Sequence, residues 1–187
     1  MIINKKKFNV NGINYTIRSA MVNDSKELSE IRLQIDGETE NLDREKGEAY
    51  LDPLDFERII KTDIESKRNL FLVAEVNDRI VAFSRCEGNH LKRFAHKVEF
   101  GVGVLKDYWG LKIGSNLLKE SISWADSNGF KKITLNVLET NDKAINLYKK
   151  FGFNIEGILQ NDKILSDGQF YNTVTMGRIY DKGFKND

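Results

Sequence analysis

The stretch Tyr108-Trp109-Gly110-Leu111-Lys112-Ile113-Gly114-Ser115-Asn116-Leu117-Leu118 decides how the rest of this chain is read. A β-type run from Val98 to Leu105 leads into it, and a helix-type run from Leu117 to Ala125 leads out. A strand, a glycine-bearing turn and a helix together make an anion site. The first N–H groups of a helix have no intrahelical partner, and the helix dipole is positive at that end. Glycine allows main chain to come close to a phosphate. A glycine pair after a strand is equally compatible with a plain structural turn, because short motifs recur by chance. The surrounding sequence has to decide.

Composition narrows the field. The chain has 187 residues, 40% hydrophobic and 30% charged, which suits one soluble domain with a full core. Its net charge of +1 provides no basic field for nucleic acid. A lone cysteine, Cys86, excludes an intramolecular disulfide, and its apolar strand setting points to a buried thiol and not a nucleophile. With two histidines and no cysteine framework, no metal site is expected. Only three apolar residues precede Asn4-Lys5-Lys6-Lys7, too few for a signal-peptide core, and no run approaches the roughly 20 apolar residues of a membrane span. The expected compartment is the cytoplasm, with no membrane partner.

Working outward from the turn, Asn11-Gly12 joins two short β-type runs as a hairpin, and Asn77-Asp78 joins Leu70–Val76 to Arg79–Cys86 in the same way. Asp24 or Ser25 is placed to cap a helix with the stripe Leu28, Ile31 and Ile35. Residues Asp36 to Asp52 read as acidic and irregular, and Pro53 opens a second helix with Phe56, Ile59, Ile60 and Ile64 on one face. Asn128-Gly129 ends the helix after the glycine turn. Lys131 to Leu138 alternates like a strand, Asn141 or Asp142 opens a short helix, and Phe153–Gln160 and Asn172–Tyr180 read as the last strands, joined through Asp167-Gly168. The order is strand, two helices, three strands, helix, strand, helix, two strands. A mixed sheet with helices on both faces is the simplest architecture for it.

Past one strand, the turn is followed by Asn141-Asp142-Lys143-Ala144-Ile145-Asn146-Leu147-Tyr148-Lys149-Lys150-Phe151-Gly152-Phe153. This segment, with the turn before it, resembles the GCN5-related N-acetyltransferase superfamily. That family's Gln/Arg-x-x-Gly-x-Gly/Ala motif falls on Trp109 to Gly114, and its Asn-x-x-Ala-x-x-Leu-Tyr-x-Lys-x-Gly-Phe segment on Asn141 to Phe153. The resemblance covers about Tyr15 to Tyr180 and implies one N-acetyltransferase domain, residues 1–187 with its core over about 15–180. It implies an α/β (α+β) fold: a mixed, mostly antiparallel sheet of six to seven strands, helices on both faces, and a splay between the family's fourth and fifth strands. It also implies acetyl transfer from acetyl-CoA, a cosubstrate used without a metal, to an amine-bearing small molecule or a protein N-terminus. The coenzyme A pyrophosphate would lie on Trp109, Gly110, Leu111, Lys112, Ile113, Gly114 and Ser115. The pantetheine arm would pair with main chain at Val102 and Val104, and the helix bearing Asn141, Ala144 and Tyr148 would flank its other side. Family members often form homodimers through their C-terminal strands.

Two positions depart from the motif: Trp109 stands at the Gln/Arg position and Lys112 at the first glycine. Lys112 is either in a tolerant helical position or an ammonium that supplements the main-chain donors. The resemblance gives Tyr148 the role of general acid to the departing thiolate. Spacing alone would make it core, since Ala144, Leu147, Tyr148 and Phe151 fall at i, i+3, i+4 and i+7. An aromatic residue can do both, body buried and hydroxyl exposed. An amine acceptor has to shed a proton before attack. Glu99, on the strand entering the turn, and His96 are the candidate bases, with loss to solvent as the alternative. Asn141 is a helix cap, with a cofactor contact added by the resemblance, and Asn136 could face either side of its strand. The acidic series Asp36, Glu38, Glu40, Asp43, Glu45 and Glu48 is either a solvated run or a wall that suits a cationic acceptor. The competing functions are a coenzyme A-binding sensor of the same fold without turnover and an ATP or NAD site. The second is disfavoured because neither Gly-x-x-x-x-Gly-Lys-Ser/Thr nor Gly-x-Gly-x-x-Gly occurs at the turn.

Overall fold

A computed structural model describes residues 2–180. Tight turns set its hairpins. Asn11 and Gly12 take φ of 52° and 80°, and Asn77 and Asp78 take 49° and 60°. Two consecutive positive φ values make the turn type whose twist matches antiparallel strands. These turns join β1 (Lys6–Val10) to β2 (Ile13–Ser19), and β3 (Leu70–Val76) to β4 (Arg79–Gly88).

Between the hairpins lie α1 (Ser25–Glu38) and α2 (Pro53–Glu65). Helix α2 starts as expected. Asp52 accepts from Asp55 N at 2.8 Å, Asp55 accepts from Asp52 N at 3.1 Å, and Pro53 occupies the first turn. Helix α1 does not use its expected cap. The Asp24 carboxylate is taken by Arg18 at 2.6 and 2.9 Å and by Met21 N at 2.7 Å, and a charged fork outcompetes a single helical N–H.

After β5 (Lys97–Val104) come α3 (Ile113–Ser127), β6 (Lys132–Leu138), α4 (Asp142–Lys150), β7 (Asn154–Ile164) and β8 (Phe170–Ile179). One sheet runs in the order β1-β2-β3-β4-β5-β6-β8-β7. It has eight strands and not the expected six to seven, because both arms of the N-terminal hairpin join it: β1 pairs with β2, and β2 pairs with β3. The splay therefore falls between β5 and β6 of this chain. All pairings are antiparallel except β5 with β6.

Helices cover both faces. Along β4 the Ser84 hydroxyl lies 3.5 Å from Ser121 of α3, while the next residue, Arg85, reaches Asp63 of α2 at 2.6 Å. Successive strand residues point to opposite faces. So α2 lies on one side of the sheet and α3 on the other, and α1 joins α2: a side chain at Gly103 would meet both Phe83 of β4 and Ile35 of α1. The core is filled by Leu28 and Ile35 of α1, Ile60 of α2, Leu72 and Ile80 of the central hairpin, and Leu117 and Leu118 of α3. Each such side chain stabilises the fold by roughly 1.5–3 kcal/mol. Among the described residues no helix is long and apolar enough to cross a membrane.

Candidate active site

Strands β5 and β6 pair only through Lys97–Glu99 and Lys132–Thr134. Beyond that point β6 stays paired with β8, and β5 stays paired with β4 as far as Val104. The sheet therefore opens as a wedge between β5 and β6. Leu105 N donates to Val81 O at 3.0 Å, so the alternate residues Val104 and Val102 turn their own N–H and C=O away from β4, toward the wedge. The Val104 carbonyl is already taken by the Trp109 indole at 2.8 Å. Val102 thus brings a free donor and acceptor to the open edge, and Val104 brings its N–H. Trp109, 46% exposed, folds back over the strand it follows, which is the structural use of an indole at the motif's Gln/Arg position.

The glycine turn lies at the end of β5. Gly110 has φ 83° and Lys112 has φ 57°. The first helical bond of α3 runs from Asn116 N to Lys112 O at 2.9 Å, and no side chain caps the helix. The N–H groups of Ile113, Gly114 and Ser115 are left without intrahelical partners, as an anion site requires. A side chain at Gly114 would meet only Val104, at 3.5 Å, so the protein's own packing does not demand glycine there. The room it leaves faces the cleft. Lys112 is left-handed and not helical, which removes the tolerant-helix reading of that position. Its side chain is exposed, lines the cleft and has no ion pair among the described residues.

The opposite wall is α4. Asn141 caps it, its side-chain oxygen accepting from Ala144 N at 3.2 Å. Ala144, Leu147 and Tyr148 line the cleft. Tyr148 is 8% exposed, packs on Phe153 with ring centroids 5.8 Å apart, and burial pushes its phenol up to about 12. Tyr148 belongs to the core stripe and also borders the cleft. The cleft encloses about 1920 Å³. That exceeds the roughly 300–1,000 Å³ of a pocket for one small molecule, and suits an extended ligand with a second substrate.

On the α1–α2 side of the wedge, Glu99 is exposed to the cleft and stands opposite Glu87 of β4 in the strand register. Asn136 faces the same side and accepts from the Thr175 hydroxyl at 3.0 Å. His96 is not brought to the site. It sits before β5, does not line the cleft, and its carbonyl accepts from Lys131 N at 2.8 Å and Lys132 N at 3.2 Å. The acidic series does not form a free acidic wall either. Asp36 is buried against Arg44 at 3.2 Å, Glu38 accepts from Lys106 N at 2.7 Å, Glu40 accepts from Ser166 N at 2.9 Å, and Asp43 pairs with Lys163 at 2.5 Å. Of these carboxylates only Asp43 lines the cleft. Cys86 is buried beside Ser121, its thiol pushed up to about 12 by burial, and is no nucleophile.

Sequence reasoning missed Arg85, Glu87 and Gly101. Arg85 holds the buried Asp63 at 2.6 and 3.0 Å and Glu87 at 2.7 Å. The available signal was charged residues at Arg85 and Glu87, two apart, at the end of a strand whose earlier part, Ile80–Phe83, is apolar. No group of three or more His, Cys, Asp or Glu residues suited to a metal occurs among the described residues.

Comparison with known proteins agrees with this geometry. Residues 36–153 match the family described as Acetyltransferase (GNAT) family. The chain is similar to the L-amino acid N-acetyltransferase AaaT of Escherichia coli K12, 29% identical over 109 residues, 58% of this chain and 67% of that protein. Among solved structures, it resembles a GNAT-family acetyltransferase of Streptococcus pneumoniae with TM-score 0.86 and 28% identity, covering 89% of this chain and 99% of that one. A phosphinothricin acetyltransferase of Sinorhizobium meliloti, solved in complex with acetyl-CoA, shares the fold with TM-score 0.80 at 17% identity, over 92% of each chain. The wedge in the sheet, the glycine turn at its mouth and the match over residues 36–153 lead to one conclusion: this chain belongs to the GNAT family of acetyltransferases.

Proposed function

We propose that this protein moves an acetyl group from acetyl-CoA to a primary amine by direct attack, in the single domain spanning about residues 15–180. The observation that carries the reading is the wedge between β5 and β6. Its main-chain edge at Val102 and Val104 lies between the uncapped start of α3 and the buried phenol of Tyr148. The edge pairs the amides of the pantetheine arm as a strand would. Ile113, Gly114 and Ser115 donate N–H groups to the pyrophosphate, and Lys112 adds an ammonium to it.

In the chemical step Glu99 takes the proton of the incoming ammonium through water, and the freed nitrogen forms the new C–N bond with the thioester carbon. As the C–S bond breaks, the sulfur takes a proton from Tyr148, the nitrogen gives up its second proton to solvent, and Tyr148 recovers one from the same source. The raised phenol is fully protonated at neutral pH, the state a general acid needs. Burial that lifts the phenol also strands a thiolate, so both partners of the transfer move in the same direction.

The acceptor is an amine-bearing small molecule or a protein N-terminus. The Escherichia coli relative named for L-amino acids makes free amino acids the first acceptors to try. The outermost strand β7 exposes Ile155, Ile158, Leu159 and Ile164 on an open edge, which favours self-association there into a homodimer, readable by light scattering.

The test is an acetylation screen of spermidine, L-amino acids, kanamycin and an alanine-terminated peptide, reading released thiol, beside a thermal melt with acetyl-CoA. Binding should raise the melting temperature, because a ligand of the native state stabilises it. A shift with ATP and none with saturating acetyl-CoA refutes the reading. Tight acetyl-CoA binding with a blank screen supports the sensor instead.

A further inference from the structure

We infer that Glu87 is a second carboxylate of the acceptor site, and that the acceptor is seated as its ammonium over Gly101, between Glu87 and Glu99. The inference rests on the acetyl-transfer reading and adds to it the protonation state in which the amine is recognised and the residue that holds it.

Three observations carry it. First, Glu87 and Glu99 are direct cross-strand partners, both exposed and both lining the cleft. Like charges directly opposite on one sheet face repel. Arg85 offsets the charge of Glu87 alone, so Glu99 still faces a like charge across the ladder, and such local conflicts gather at functional positions. Second, Glu87 is deliberately held. Arg85 donates to it at 2.7 Å and is itself fixed by Asp63, which is 2% exposed and also accepts from Asn69 at 2.6 Å. Asn69 in turn accepts from Gly88 N at 3.1 Å, so the network runs from the end of α2 to the strand residue beside Glu87. Both forks of Arg85 are occupied, leaving Glu87 oriented and Glu99 without an ion-pair partner among the described residues.

Third, space is reserved beside the pair. Gly101 lies two residues beyond Glu99, on the same face, opposite Arg85. A side chain built there meets nothing within 4 Å, and its φ is not in the left-handed region, so neither packing nor backbone calls for glycine. Glycine inside a strand marks close approach of a ligand or another chain. A primary ammonium fits this seat: it has three donors, two carboxylates flank it, and Gly101 lets its carbon chain lie against the sheet. Glu99 then takes the proton that leaves, while Glu87 stays paired with Arg85. Glu87 is a positioning residue for the nitrogen, and Glu99 the catalytic one.

The test uses the full chain and whichever of spermidine, L-methionine, kanamycin or an alanine-terminated peptide it acetylates fastest. Glu87→Gln keeps an oxygen for Arg85 and so keeps the fold. It should raise the amine KM about tenfold, in line with the loss of one charged hydrogen bond, with kcat changed less than about twofold. The melting-temperature rise given by acetyl-CoA should not change. Glu87→Asp should recover part of the loss. Gly101→Val, a residue suited to strands, should abolish amine turnover while leaving the acetyl-CoA shift intact. An unchanged amine KM in Glu87→Gln, or full turnover in Gly101→Val, overturns the inference and leaves the acetyl-transfer reading standing. A wild-type protein that fails to bind acetyl-CoA, or that binds it but acetylates none of the four amines, overturns that reading and the inference with it.

Discussion

Replacing Lys112 by glycine should make the protein more stable and its hold on acetyl-CoA weaker. Lys112 has φ 57° and ψ 14°, and besides Ala49 the other non-glycine residues at positive φ are Asn or Asp, which tolerate that region. A left-handed conformation costs an ordinary residue about 1–2 kcal/mol. Lys112 also places a cation at the positive end of a helix whose first turn carries no acid, an arrangement unfavourable by roughly 0.3–1 kcal/mol. Glycine removes both costs but loses about 0.5–1 kcal/mol through its greater freedom in the unfolded chain. The net gain is about 1 kcal/mol, or about 2–4 °C in melting temperature for a chain of this size.

Binding should move the other way. Losing one exposed charge-assisted contact with phosphate, about 1 kcal/mol, weakens acetyl-CoA roughly fivefold. Melting curves without ligand and calorimetric titration with acetyl-CoA read the two effects separately. Lys112→Ala discriminates further: it also loses the ammonium but keeps the left-handed backbone cost, so it should bind as weakly as Lys112→Gly and gain only the roughly 0.3–1 kcal/mol from removing a cation at the helix start. A Lys112→Gly protein that melts lower than wild type and binds acetyl-CoA equally well would refute both halves of the reasoning.

Tyr148→Phe should lower kcat by about 10²–10⁴, the usual worth of a general acid, with acetyl-CoA affinity nearly unchanged; equal turnover in steady-state assays removes Tyr148 from the acid role. Burial raises the Tyr148 phenol from 10.0 to about 12, so the unfolded chain loses that proton first, and the stability present below pH 10 should fall as pH rises toward 12, a fall reduced in Tyr148→Phe when the two are unfolded in urea across that range. Asp63→Ala strands the Arg85 guanidinium and should cost about 3–5 kcal/mol in urea unfolding; a loss under about 1 kcal/mol would show that the network does not hold β4 to α2. Raising salt from 0.05 to about 0.5 M should increase the KM of both substrates, because Lys112 and the Glu87–Glu99 pair lie open to solvent, where screening acts within roughly 10 Å; salt-independent values would argue against charge recognition at both ends.

Most elements were legible from local chemistry. Asn11-Gly12 and Asn77-Asp78 announce their hairpins, Pro53 after Asp52 announces α2, and the alternation of Ile133, Leu135 and Val137 announces β6. The glycine-turn side of the cleft was legible for the same reason: the turn and the Asn141–Phe153 segment that line it are each continuous in sequence. The acceptor side was not. Glu87 meets Glu99 only through the β4–β5 register, and Arg85 meets Asp63 across 22 residues. Such pairings leave no periodic trace. The acidic series misled in the opposite direction, since each carboxylate reads alike in sequence, yet Asp36, Glu38 and Glu40 are consumed by Arg44, the Lys106 N–H and the Ser166 N–H.

The two ends of the cleft share a logic that composition hides. A net charge of +1 gives no hint of how the cleft is lined, with Lys112 at its glycine turn and, at its far side, the Glu87–Glu99 pair beside Arg85 and Lys97. Each departs from what the isolated fold would choose: Lys112 in a conformation and at a helix end that disfavour it, Glu87 opposite a like charge. In the proposed reaction both departures would be relieved by ligands of opposite sign, an anionic cosubstrate at one end and a cationic amine at the other. The wedge joins the two ends because β6 stays with β8 after Thr134 while β5 stays with β4, so in the proposed reaction the thioester would thread from one face of the sheet to the other through a gap that backbone pairing created. The fold supplies the passage, and the residues that strain it decide what enters from each side.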